Sequence, residues 1–170
     1  MRIIDREFFQ VDAIQLSKRL LGKIITIQIN SKVRKFRITE VEAYRGENDS
    51  ASHAYRKKTS KNAPMFERGG IIYVYLCYGL FNLLNIVSGI EGTAEAVLIR
   101  GVDSTEGPGR VGRLLNITRE LNFEDLITSE KIWLEDDGFE VDFDNIKLNK
   151  RVGIGYALQE DQDKLWRFKI

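Results

Sequence analysis

One cysteine and one histidine are all that the 170 residues contain, and each scarcity closes a class of function. Cys77 has no partner within the chain, which suits a reducing cytosol and removes structural zinc of the multi-cysteine kind. His53 alone cannot form a histidine cluster, so no metal is expected. Unbroken apolar sequence is missing as well. The longest run, Ile71 to Val87, is interrupted by Gly79, Asn82 and Asn85, and "MRIIDREFFQ" carries charges where the apolar core of a leader would sit. A cytoplasmic protein without a membrane partner is expected. Repeats, low-complexity tracts, linkers and a phosphate-loop motif are also lacking, and no cofactor is expected. The length fits one domain, 1–170, able to bury roughly two-thirds of its unfolded surface.

Charge is scarce only in the sum. The net value is +1, yet residues 1–113 hold 18 Lys/Arg against 12 Asp/Glu, and residues 114–170 hold 8 against 13. The first two-thirds could face a polyanion. Its densest basic segment, "HAYRKKTSKNAPMFERGG", interleaves aromatics with Lys57, Lys58 and Lys61 in a loop-like composition. A solvated loop is the plain alternative, because only clustering in space makes a nucleic-acid footprint. The acidic stretch "FEDLITSEKIWLEDDGFEVDFD" should lie away from any such footprint.

What is present is periodic. "VDAIQLSKRLL", residues 11–21, places Val11, Ile14, Leu16, Leu20 and Leu21 near a helical stripe, with Gly22 as its C-cap. "KIITIQINSKVRKFRITEVEAYR" reads as two strands turning at Asn30-Ser31, and "GGIIYVYLCYGLFNLLNIVSG" as a hairpin turning at Tyr78-Gly79. "EAVLIRGV" is a further strand. A helix is expected around Val111 to Leu121, then a strand-like "RVGIGYAL" and a terminal "KLWRFKI". This order fits one α+β domain built on a largely antiparallel sheet.

Within the second strand, alternation puts Phe36, Ile38, Glu40, Glu42 and Tyr44 on one face, and Lys35, Arg37, Thr39 and Val41 on the other. The apolar members of the first set point it inward, so two carboxylates are expected to follow them into the protein. There an unpaired charge costs several kcal/mol or titrates instead. Glu42 at the end of such a row suits a general base; the other reading is a buried ion-pair partner of an arginine. Glu40 lies about 6.6 Å along the strand, which invites a carbohydrate-glycosidase pair of Glu40 and Glu42. Neighbouring acids on strands are common, and Glu40 is read as structural or as support for Glu42. Asn85, on a strand face shared with Phe81, Leu83 and Val87, must find partners. Tyr78, beside Gly79 at a hairpin tip, is an exposed aromatic that needs a reason.

"EVEAY", a histidine eleven positions after Glu42, "MF", "YVYLCYG", the Asn of "LLNIV", "VLIR", "GPGR" and "RVGIGYA" occur in the order and spacing of the alkyladenine (3-methyladenine) DNA glycosylase family, which the chain resembles from its first helix nearly to its last residue. In the loop after His53, Ser60-Lys61 replaces the Pro-Arg that often occurs there. The resemblance implies a curved, largely antiparallel sheet flanked by helices, with a protruding β-hairpin. It also implies a monomeric enzyme of base excision repair, nucleoid-associated in a prokaryote, acting on double-stranded DNA with damaged purines. A non-catalytic nucleic-acid or nucleoside-binding module on the same fold is the alternative from another class.

By that resemblance Glu42 is the catalytic carboxylate, and Arg100 helps it orient the attacking water, with backbone around Ile154 closing the water site. Tyr44 and Tyr75 sandwich the flipped base, whose positive charge when methylated favours aromatic faces. Tyr73 is read as an ordinary strand tyrosine. His53 contacts the base at the pocket edge, and Asn85 crowds the 2-amino group of guanine. Tyr78 enters the duplex, and Lys57, Lys58 and Lys61 face the DNA backbone. A glycosylase that also cuts the strand uses an amine nucleophile; none of the matched pocket positions supplies one, so a monofunctional enzyme is expected.

Overall fold

The computed structural model describes residues Met1–Ile170. Helix α1 (Ala13–Leu20) opens on Asp12, whose carboxylate accepts from the N–H groups of Ile14 and Gln15 at 2.9 Å. It buries Ala13, Leu16, Ser17 and Leu20, and Gly22 follows it at φ +80°. Strands β1 (Ile24–Ile29) and β2 (Lys32–Arg45) turn at Asn30 and Ser31, both at positive φ, as a two-residue hairpin requires. Strands β3 (Ile72–Cys77) and β4 (Phe81–Ser88) form the second hairpin, and β5 (Glu95–Val102) follows. All pairings are antiparallel, and the open sheet runs β3-β4-β5-β2-β1. The fold is α+β on a large antiparallel sheet, and none of its helices is long and apolar enough to cross a membrane.

Three segments depart from expectation. After the two-residue strand β6 (Thr105–Glu106), helix α2 spans Pro108–Leu114, earlier and shorter than Val111–Leu121. Asn116 takes φ +51°, and the N–H groups of Asn116 and Ile117 turn back onto Arg113 and Gly112 carbonyls, which closes the helix. Only glycine serves at 112, where a Cβ would meet the Asn82 carbonyl oxygen at 1.9 Å. The acidic region contributes unforeseen strands, β7 (Ile132–Glu135) beside β1 and β8 (Lys147–Asn149). "RVGIGYAL" is not a strand: Gly153 at φ +77° breaks it into turns, with the short helix α3 (Gln159–Gln162) beyond. The terminal segment forms β9 (Arg167–Lys169), paired with β8 and with Glu40–Glu42 of β2.

The single-face reading of β2 also needs correction. Against β5, Ile38 pairs with Val102, Glu40 with Gly101 and Val41 with Ile99, so Thr39 is extra on one strand and Arg100 on the other. These paired irregularities slip the alternation by one. Ile38 belongs to the core, and beyond the slip the core residues are Val41 and Ala43, not the partners that strict alternation gives it. They pack with Val97, Ile99, Leu16, Leu20 and Val111 under α1 and α2. Glu42 and Tyr44 therefore turn to the opposite face. Val41, assigned to the outer row, is fully buried.

Candidate active site

On that opposite face a row crosses four strands: Glu42 of β2 lies beside Leu98, Leu98 beside Asn85, and Asn85 beside Tyr73. Above it is a cavity of about 490 Å³. Its wall takes Tyr44, His53, Tyr73, Tyr75, Asn85 and Arg100 from the sheet side and Val152, Ile154 and Tyr156 from the broken "RVGIGYAL" segment. A cavity of this size fits a purine, and most of its lining is apolar or aromatic.

Glu42 itself is 0% exposed, beneath three of those lining groups. The Val152 N–H donates to Oε1 at 2.9 Å, the Tyr44 hydroxyl to Oε2 at 2.8 Å, and Arg100 Nη1 stands 3.3 Å from Oε1. Burial raises the Glu42 pKa above the ordinary carboxylate value, opposed chiefly by Arg100 and then by the Val152 and Tyr44 hydrogen bonds. From the segment around Ile154, expected to close the water site, it is the Val152 N–H that reaches Glu42. Glu40 is almost as buried, and its Oε1 accepts from Arg167 Nη1 at 2.8 Å and Arg100 Nε at 3.4 Å. One guanidinium bridges both carboxylates. No glycosidic bond has room between them, which argues against a carbohydrate-glycosidase pair.

The aromatic wall is arranged differently from a plain two-tyrosine sandwich. His53 leans on Tyr75, ring centroids 4.0 Å apart, so these two form one side. Tyr44 stands on the other, three strand spacings or roughly 14 Å of backbone away. Tyr73 holds His53, its hydroxyl 2.9 Å from Nδ1. Burial drives the Tyr73 pKa up and that of His53 down, so a neutral phenol faces a neutral imidazole. Tyr73 therefore positions the site, a role its strand-like surroundings in the sequence hid.

Asn85 is buried, and Nδ2 donates to the Tyr73 and Leu83 carbonyls, both at 3.2 Å. Tyr78 is 88% exposed at φ +49°, with Leu80 beside it 75% exposed at the hairpin tip. Lys57, Lys58 and Lys61 are all exposed, in a loop tied to the cavity: Asn62 Nδ2 donates to the carbonyls of His53 and Lys57. Sequence reasoning also passed over Arg151, Asp49 and Tyr156. The hydroxyl of Tyr156 donates to the Ala51 carbonyl at 2.8 Å, joining the two loops that frame the cavity mouth.

The family profile described as Methylpurine-DNA glycosylase matches residues 7–106 and 101–170. The chain belongs to this family. Relatives of the methylpurine-DNA glycosylase family align over essentially its whole length. A putative 3-methyladenine DNA glycosylase of Borreliella afzelii is 40% identical over 179 residues, covering 98% of this chain and 95% of its own. The DNA-3-methyladenine glycosylase of Arabidopsis thaliana is 41% identical over 190 residues, covering 100% of this chain and 72% of its own. A putative 3-methyladenine DNA glycosylase of Clostridium novyi is 38% identical over 198 residues, covering 100% and 96%. Membership of the methylpurine-DNA glycosylase family fixes the class of enzyme: a DNA glycosylase, which hydrolyses the bond between base and deoxyribose.

Proposed function

We propose that this glycosylase flips alkylated or deaminated purines, among them 3-methyladenine, 7-methylguanine, hypoxanthine and ethenoadenine, out of duplex DNA and removes them with a water activated by Glu42. The observation that carries the reading is the Glu42 carboxylate, fully buried yet fixed by two hydrogen-bond donors and the Arg100 cation beneath a purine-sized aromatic cavity. In the reaction the water oxygen bonds to C1′ of the sugar, its proton passes to Glu42, and the pair of electrons of the glycosidic bond leaves with the base. A methylated purine carries a positive charge that those electrons neutralise, so it departs without an acid. Tyr44 on one side and the Tyr75–His53 pair on the other grip the base by its faces. Arg100 is the cation on the cavity wall, and no lysine lies there to form an imine, which supports a monofunctional enzyme.

The test is a single-turnover excision assay on duplexes carrying each of the four lesions. Release of free base with the strand left intact is expected; a folded protein that releases none of them would end the proposal.

Selectivity against guanine is assigned to Asn85, but through bulk. Its amide hydrogens are committed to main-chain carbonyls, so what it presents to an incoming 2-amino group is a fixed obstacle. Asn85→Gly should gain excision of mispaired guanine and lower the ratio of hypoxanthine to guanine excision several-fold, as removal of a steric obstacle does. The same hydrogen bonds suit a purely structural amide. In that case melting temperature and all activities fall together with the ratio unchanged, and the selectivity role is wrong.

Reversing the charge of Lys57, Lys58 and Lys61 together should weaken DNA binding and flatten its dependence on salt by about 0.9 for each phosphate that is no longer neutralised. Asn62 holds the backbone of the loop, and the contact of Lys58 with the Phe66 ring lies at its exposed edge, so the variant should keep its fold. An unchanged salt slope would leave the lysines merely solvated.

A further inference from the structure

Behind the aromatic wall lies a charged group that the proposed reaction does not use. The side chain of Arg151 is fully buried, as is that of its partner Asp49. Nη1 donates to Asp49 Oδ2 at 2.5 Å and to the Ala43 carbonyl at 2.9 Å; Nη2 donates to Asp49 Oδ1 at 2.8 Å and to the Asp161 carbonyl at 3.2 Å. Its guanidinium lies between two rings, 4.8 Å from Tyr44 and 5.0 Å from Trp166. Asp49 in turn receives the N–H groups of Arg45 and Ala51, which shape the loop leading to His53. The pair therefore clamps together the two segments that frame the cavity.

The clamp also touches both neutral donors of Glu42. Tyr44, whose hydroxyl holds Oε2, rests its ring on the Arg151 guanidinium. Val152, whose N–H holds Oε1, is the next residue in the chain. One immobile cation thus orients one donor through a ring face and the other through a peptide bond, while its fork is filled by a carboxylate that cancels its charge. Lysine could supply the charge but not the planar bidentate fit.

We propose that Arg151, locked by Asp49, is the positioning residue of this active site, aiming the two donors that grip Glu42 and so setting the geometry and the ionisation of the base. The proposal rests on Glu42 being that base. The charged and titratable groups around Glu42 are Tyr44 from its own strand, Arg100 from β5 with Glu40 behind it, and Arg151 and Tyr156 from the segment opposite. Arg100 first, then the Val152 and Tyr44 hydrogen bonds that Arg151 aims, and last Arg151 itself favour the ionised carboxylate. Loss of its charge or of its aim makes Glu42 hold its proton to higher pH, and the acid limb of the rate profile must move up.

The experiment measures single-turnover excision against pH, lesion-duplex affinity and melting temperature for R151K and for D49N/R151M, which removes both buried charges together. For R151K a plateau rate lower by on the order of tenfold and an acid limb raised by about one pH unit are expected, with lesion affinity retained, since one such unit corresponds to one hydrogen bond's worth of preference between the two states. D49N/R151M, which removes the pair without a net change of charge, should raise the limb as well, through lost aim alone. Placed in the Glu42→Gln background, R151K should add little further loss, because it acts through the group already removed. A folded R151K with a lower melting temperature but native plateau rate and native acid limb makes Arg151 a brace of the fold only, whether or not the double variant folds. Full additivity with Glu42→Gln would also overturn the proposal. A Glu42→Gln variant that excises normally would instead remove the base assignment itself.

Discussion

Glu42→Gln should bind a lesion duplex about as tightly as the native protein and release the base more slowly by a factor on the order of 10²–10⁴, as loss of a general base does. The amide keeps the shape of the carboxylate, and its oxygen still accepts from Tyr44 or Val152, so the cavity wall is undisturbed. What is lost is the only group in the row able to take a proton from water. The same variant should melt at a higher temperature than the native protein at neutral pH. Burial raises the pKa of Glu42, so ionising it opposes folding. That penalty is absent in acid, grows as pH rises past the ordinary glutamate value and levels off above the raised folded value. Glutamine never carries it. The advantage of the variant should therefore shrink as pH falls, a trade of stability for activity that thermal melts along a pH series measure directly. Excision within a few-fold of native would show that Glu42 is not the base.

Tyr78→Ser should weaken binding to a lesion duplex by about ten- to a hundredfold, the equivalent of the roughly 1–3 kcal/mol that a base–aromatic stack contributes. Excision from a single-stranded lesion substrate should be nearly unaffected, because that substrate has no stack to enter and no hole to fill. Tyr78 makes this contrast clean. At 88% exposure it has little packing to lose, and serine fits the left-handed tip no worse than tyrosine. Equal losses on the two substrates would mean that the hairpin tip does not act as a wedge. A comparison of duplex and single-strand rates at sub-saturating enzyme, beside the two affinities, decides between them.

Much of this site was legible in the chain, though not always by the route that reached it. Alternation places Glu42 inward through a shared face with Phe36 and Ile38, yet the strand slips at Thr39 and Glu42 is buried on the opposite face, against the cavity. A slip of this kind comes from two strands meeting out of phase, and no local pattern in either strand announces it. The early end of α2 had a local signal in Asn116, a residue suited to the left-handed turn that stops a helix. Gly153 and Gly155 likewise speak against a strand in "RVGIGYAL", where isolated glycines mark irregular backbone. Tyr73 and Arg151 were hidden for another reason. Each acts through a partner distant in sequence, His53 for one and Asp49 for the other, and such pairings exist only once the chain has folded.

The segregation of charge along β2 governs approach as well as contact. Near the start of that strand Lys35 and Arg37 are paired to Glu135 and Asp137, while the lysines of the loop that follows its other end have no carboxylate partner. A body with a net charge of only +1 whose unpaired lysines gather on one loop is rotated by the field of DNA more than it is drawn in by it. That torque reaches only a few Debye lengths of about 8 Å at physiological salt, so the molecule is turned mouth-first during the last moments of an encounter rather than guided from afar. Successive short hops along a duplex would keep it facing inward, ready to probe each base pair without tumbling in between.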